Sequence, residues 1–417
     1  MQILVLDYKS RLKRGNVMKG YTATLPNGEA ILYVDRKRWL WTLSLLYPLQ
    51  PLIGIAMHSF TGNELWLLLP LLLSYGFGPI IDALLGEDRN NPPEEVVMQL
   101  DQDRYYRWLT YAVVPLHYMI LIGCAWYAAT QALSVWGVLS IAVVAGLAGG
   151  FAINTGHELG HKNSRVEKFL AKVVLALPAY GHFTIDHNLG HHRDVSTPAD
   201  PASSRMGESI YRFAIREIPG AFREAWAIEK DRLARRNKPV WHPANLILQS
   251  YALSTAITIG LVAAFGWMML PFLFIHHVFA YWQLTSANYI EHYGLLRERD
   301  EHGKYERCQK HHSWNSNHLF SNLVLFHLER HADHHTHPLR RYQSLRHFDD
   351  LPQLPSGYFG MYLLAYVPAL WFRVMDKRLL ALPHIQGDLD KVNIDRKARA
   401  AIFLKYGRDK MVAPDLA

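Results

Sequence analysis

The chain has 417 residues, with 44 Lys and Arg against 36 Asp and Glu, a formal net charge of +8, and 50% hydrophobic residues. Two distant cysteines, Cys124 and Cys308, exclude a disulfide framework or a four-cysteine metal site, and no nucleic-acid-reading motif accompanies the positive charge. The cations are unevenly placed: none falls between Arg38 and Arg89, between Arg107 and Lys162, or between Lys238 and Arg297. Apolar runs of about 20 residues fill those gaps, which excludes a soluble cytosolic protein.

In chain order, no apolar stretch of useful length precedes Lys37, so no cleaved leader is expected. Each cation-free gap then reads as a helical hairpin. The first pairs residues 40–60 with 65–85 across Thr61-Gly62-Asn63-Glu64. The second pairs 109–130 with 135–153 across a turn near Gln131, and the third pairs 246–265 with 268–290 across Gly266. Cations flank the gaps and are missing from the three turns. The positive-inside rule therefore puts both termini and every long connection in the cytoplasm. The expectation is an all-α integral membrane protein of six transmembrane helices. Residues 158–243 and 291–417 would form a cytoplasmic cap, and 1–417 a single membrane-embedded domain. Residues 169–183 and 358–372 are apolar but short, and suit interfacial or re-entrant helices.

Histidine is the anomaly, with 23 residues. One cluster, His157 and His161, stands four residues apart at the end of the fourth run and shares one helical face. A second holds His187, His191 and His192, and a third His331, His334 and His335. Topology places all three on one membrane face. Packing so many imidazoles together without a metal would leave many polar atoms unsatisfied near a membrane. Imidazole suits iron, zinc, copper or nickel.

His157-Glu158-Leu159-Gly160-His161 also matches the H-E-x-x-H pattern of zinc proteases, with Glu158 as general base. Such a site needs one further ligand and leaves five clustered histidines unexplained. A carboxylate di-iron site needs two Glu-x-x-His motifs, and only Glu158–His161 fits. A histidine-rich site for two metals remains. Carboxylates beside the clusters in sequence, Glu158, Asp186, Asp194 and Asp333, are expected to accept the ligands' outer N–H groups.

The three boxes, His-x-x-x-His, His-x-x-x-His-His and His-x-x-His-His, resemble those of the membrane fatty-acid desaturase and hydroxylase superfamily. Residues 154–161, 187–192, 288–294 and 322–331 resemble the four signatures of the bacterial alkane 1-monooxygenase family. The likeness extends through Gly86-Glu87-Asp88 with 90–97, 205–209, 216–222 and 312–318, and covers about 33–406. One departure is Asp186, where related sequences often carry Glu; the charge is kept.

The resemblance implies nine iron ligands: His157, His161, His187, His191, His192, His292, His331, His334 and His335. Of these, His292 stands singly, and spacing alone does not point to it; with it, its neighbour Glu291 joins the carboxylates expected to accept the ligands' outer N–H groups. The resemblance also implies two iron ions, O₂, and hydroxylation of the terminal carbon of a linear alkane. Electrons would come from rubredoxin, reduced in turn by a rubredoxin reductase, at the cytoplasmic face of a bacterial inner membrane. Fatty-acyl desaturases and xylene-type hydroxylases would share the irons and differ in substrate. Several basic patches could meet an acidic donor, including Arg340 and Arg341 with Arg346. An apolar tunnel through the bundle would deliver the alkane. Leu328, one turn before His331, is expected at its closed end. Ser74, a small residue after the bulky run 66–73, would keep it open at depth.

Overall fold

A computed structural model describes residues 19–407. Residues 1–18 and 408–417 lie outside it, and with them most of the segment read as lacking a leader and the C-terminus expected on the cap side. Among the described residues, five segments are long and apolar enough to cross a membrane: Leu40–Thr61, Glu64–Leu85, Arg104–Thr130, Val135–Gly160 and Leu246–Phe265. The protein is therefore a multi-pass membrane protein. The sixth expected span forms a continuous helix, Met269–Glu291, that is long enough but less apolar. His276, His277, Gln283 and Asn288 lower its hydropathy.

Local sequence sets the helix ends. Asp103 and Ser134 accept backbone N–H groups at the starts of Arg104–Thr130 and Val135–Gly160, satisfying donors with no intrahelical partner. Gly62 ends the first segment in the left-handed conformation, at φ 70°. Prolines at 48, 51, 70 and 79 and a π-helical stretch at Leu72–Phe77 make the first two segments irregular. The Val135–Gly160 helix outruns its expected end at 153 by two turns, lifting its histidines out of the apolar bundle toward the cap.

That helix lies closely against Met269–Glu291. A Cβ on Gly146 would sit 2.7 Å from Cβ of Phe279 and 2.8 Å from the His276 carbonyl, so only glycine permits the approach. This crossing sets the first histidine box against the end of the helix that precedes His292.

Neither short apolar stretch forms one continuous helix of spanning length. Residues 169–183 split between Arg165–Leu175 and a chain of turns, and 358–372 between Tyr358–Ala365 and Pro368–Leu380. The cap also carries the 25-residue helix Ile210–Ala234. Its aromatic core joins Tyr289, Tyr293, Trp314, Tyr358 and Trp371.

The all-α expectation needs one correction. Gly20–Thr24 and Ala30–Val34 pair as an antiparallel hairpin, with Tyr21 opposite Tyr33. Alternating Tyr, Thr and aliphatic residues around an Asn27-Gly28 turn favour strands, and Gly28 takes φ 83°. The hairpin buries its tyrosines beside Trp41 and Tyr106.

Candidate metal centre

His157 and His161 end the Val135–Gly160 helix, where Gly160 lets the chain approach its neighbour; a Cβ there would lie 2.7 Å from Thr184 Cγ2. The second box sits on a π-helical turn, His187–His191. That wider turn brings residues five apart together, and the Nε2 atoms of His187 and His192 lie 3.2 Å apart. The third box is the short helix His331–Thr336. Arg330 anchors its start, fully buried, donating to Asp88 at 2.6 Å, to Asn317 at 3.0 Å and to the Leu345 carbonyl at 2.7 Å. Lys37 closes the same network on Asp88. His292 lies just past its helix, and Trp314 holds both neighbouring carbonyls, Glu291 through its backbone N–H and Tyr293 through its indole.

The histidines form two groups of four that do not follow the boxes. His157, His161, His187 and His334 make one group; His191, His292, His331 and His335 make the other. The second and third boxes thus each divide between both groups. His192 stands between them, its Nε2 3.2 Å from His334 Nε2 and its ring 4.4 Å from that of His335.

Within the groups, Nε2 atoms face each other at 3.0 Å (His157 and His334), 3.1 Å (His292 and His331) and 2.9 Å (His331 and His335). Metal–nitrogen bonds of about 2.0–2.1 Å place neighbouring ligands of one ion at this spacing. Nε2 of His161 and of His191 is buried with no hydrogen-bond partner among the described residues. These orphaned nitrogens and the all-imidazole donor set fit bound transition metals.

Electrostatics keep most of these rings in the neutral, metal-binding form. Burial first, and then the neighbouring imidazoles, push His187, His192, His331, His334 and His335 well below the ordinary range. Burial takes His292 down to about 3. Burial, the largest effect, lowers His191 too, but the charge and hydrogen bond of Asp200 together with the Glu291 and Glu224 carboxylates leave the group raised.

Asp200 escaped the sequence reading. Its Oδ2 accepts from His191 Nδ1 at 2.9 Å and from Ser203 Oγ at 2.5 Å. It is nine residues beyond its partner, and nothing in the local pattern Ala199-Asp200-Pro201 marks it. The carboxylates chosen by adjacency fare differently. Glu291 Oε2 lies 3.4 Å from His331 Nε2 while its other oxygen accepts from Tyr358 at 2.9 Å. Glu158 turns away to Lys162 at 3.1 Å and the Tyr342 backbone at 3.4 Å. It therefore does not stand where a zinc protease needs its general base. Asp194 is a correction: it pairs with Arg193 at the surface, because the chain turns just after the second box. Asp333 is another, since it faces Arg340, His337 and the Arg346 backbone. Asp186 is buried with one carboxylate oxygen unpartnered and bonds to no cluster imidazole.

An apolar cavity opens beside the cluster, walled by Phe151, Leu325, Leu328 and Phe359 and reaching His157, His187 and His331. It is narrow, ≈ 50 Å³, so a chain that enters must part the wall side chains. Leu328 lines this cavity, three residues before His331 in sequence. Ser74 is not on this wall. It is fully buried and accepts a hydrogen bond from Tyr47 at 3.0 Å, and the Tyr47 ring lies 5.1 Å from Phe151 and 5.8 Å from Phe359.

The family model for fatty acid desaturases matches residues 133–365. The chain is 54% identical over 384 residues to alkane 1-monooxygenase 1 of Alcanivorax borkumensis, covering 92% of this chain and 94% of that protein. It is 54% identical over 376 residues to alkane 1-monooxygenase of Ectopseudomonas oleovorans, covering 90% and 93%. A more distant relative, the hydroxylase component XylM of the xylene/toluene monooxygenase of Pseudomonas putida, is 29% identical over 58% of this chain and 63% of its own. Identity at this level across nearly the whole length identifies the chain as a member of the fatty acid desaturase family and, within it, of the alkane 1-monooxygenases.

Proposed function

We propose that the protein hydroxylates the terminal carbon of linear alkanes to 1-alcohols, using O₂ and electrons from rubredoxin, at two irons held by the nine histidines. The observation that carries this reading is the pair of four-histidine groups at the end of an apolar cavity. Bound iron supplies the O₂ activation that no side chain can, which an unactivated C–H bond requires. The chain's own residues do the rest. Phe151, Leu325 and Phe359 exclude water and guide an alkane, Leu328 stops its end beside His331, and Asp200 orients His191. The described cysteines are too few for an internal iron–sulfur relay, so reduction comes from outside, from rubredoxin recharged by its reductase.

The same reading makes residues 1–417 one membrane-embedded domain of six spans, with Met269–Glu291 as the sixth and its polar residues turned into the bundle. It places the protein in the bacterial inner membrane with the cap in the cytoplasm, as the cations beside the spans favour. Labels at Asn63, Gln131 and Gly266 should then react only from the outer side, and one at Lys162 only from the cytoplasm. A label at Gly266 that reacts from the cytoplasm removes the third hairpin.

Protein purified without chelators should hold about two irons per chain and turn a linear alkane plus O₂ into the 1-alcohol. One zinc and no iron, or an alkene as the product, would each overturn the proposal. Ser74→Trp should cut activity on long alkanes while sparing short ones, by pushing Tyr47 toward Phe151 and Phe359. Chain length is limited sterically, since each buried CH₂ by itself favours binding by about 0.8 kcal/mol. A length profile assay checks this, and equal loss at every length would mark Ser74 as a packing site alone.

A further inference from the structure

An external donor must reach the cap, and the cap's basic surface is not uniformly available. Arg340 is bound to Asp333 at 2.9 Å and to Glu94, Arg346 to Glu94 at 2.9 Å, and Arg341 to Glu167 at 2.6 Å. The protein's own carboxylates thus neutralise that conspicuous patch. A pocket of ≈ 440 Å³ elsewhere on the cap differs. Three guanidiniums, Arg205, Arg396 and Arg399, line it against one carboxylate, Asp390, which lies 3.5 Å from Arg399 at a solvent-exposed edge. The Arg205 guanidinium donates to the Pro198 carbonyl at 3.3 Å, while its backbone N–H meets Glu208, and among the described residues the Arg205 and Arg396 side chains make no ion pair. Asn393 lines the same pocket; it is buried, and its Nδ2 has no hydrogen-bond partner among the described residues. Cations and an unused amide donor around one concavity call for carboxylates from a partner.

The pocket wall also leads to the histidines. Asn393 donates its backbone N–H to the Gly294 carbonyl at 2.9 Å, and Gly294 donates to Ser204 at 3.1 Å. Gly294 lies two residues past His292, a member of the second histidine group. Leu296, two residues further along, lines the pocket itself.

We propose that this pocket is the docking site of an acidic one-electron carrier protein, whose carboxylates enter between Arg205, Arg396 and Arg399. The proposal rests on the hydroxylase reading above. Electrons pass along the Asn393–Gly294 hydrogen bond and the backbone to His292. Two carriers are each oxidised by one electron per turnover. With two protons, those electrons reduce one oxygen atom of O₂ to water while the other enters the alcohol.

The test uses the full-length, iron-loaded protein in lipid nanodiscs with a linear alkane, O₂ and chemically reduced rubredoxin, whose oxidation is followed by stopped-flow absorbance. Arg396 and Arg399 are both exposed, so the double variant R396E/R399E spares the core. R235E/R236E applies the same charge change to exposed residues away from the pocket. At low ionic strength, R396E/R399E should lower the second-order rate of rubredoxin oxidation about ten-fold or more, beyond any fall in dithionite-driven turnover of the same variant. The loss should shrink as salt screens the contact. An equal loss in R235E/R236E, or an equal fall with dithionite, would overturn the docking site. If wild-type protein makes alcohol with dithionite but does not oxidise rubredoxin, the docking proposal falls and the hydroxylase reading stands. If neither reductant yields alcohol, the reading itself falls.

Discussion

Replacing His331 by Ala is expected to abolish hydroxylation in protein that still inserts into the membrane. His331 Nε2 faces both His292 at 3.1 Å and His335 at 2.9 Å, so its loss opens the middle of one four-histidine group. Removing a group that only orients a ligand typically costs about 10–100-fold in metal affinity or activity, and removing the ligand should cost more. Iron per chain should fall with turnover, while the helix content measured by circular dichroism stays that of the parent. Retained turnover would take His331 out of the ligand set.

The second large effect is expected at Asp200. Asp200→Ala removes the acceptor at 2.9 Å from His191 Nδ1 and leaves that buried N–H unpaired. Iron retention against a chelator, and kcat/KM with it, should drop about 10–100-fold. Asp200→Asn keeps an acceptor oxygen and should recover part of the loss. Asp194→Ala is the contrasting variant, because a surface pair with Arg193 contributes only about 0–1 kcal/mol and touches no cluster imidazole. Unchanged iron retention in Asp200→Ala would show that His191 is held by its backbone alone.

The two sets of carboxylates show where sequence adjacency stops being informative. On a helix, a neighbour in sequence points about 100° away, so the residues beside a ligand usually face elsewhere. Glu158 and Asp333 illustrate this, bonded to Lys162 and Arg340 rather than to the histidines they adjoin. Outer partners instead come from loops folded back over the site, as Asp200 does and as the His312 carbonyl does for His292 Nδ1 at 3.3 Å. The amino-terminal hairpin was missed for a related reason. Its strands are five residues each, too short to stand out beside long apolar helices.

The sequence alone determined that this is a helical, multi-pass membrane protein, because cation-free apolar runs of spanning length have no other stable home. It also marked the three histidine boxes, since box spacing is a local pattern carried by nearby residues, while His292 entered only through the family resemblance. Only the tertiary structure decided how those histidines divide. His187 and His191 share one turn yet join different groups, and so do His334 and His335. It also decided that Leu328 reaches the cavity wall while Ser74 stands behind Tyr47. The physical reason is direction: spacing says which residues lie near one another along a helix. Which way each ring points, and what meets it there, depends on how helices distant in sequence pack.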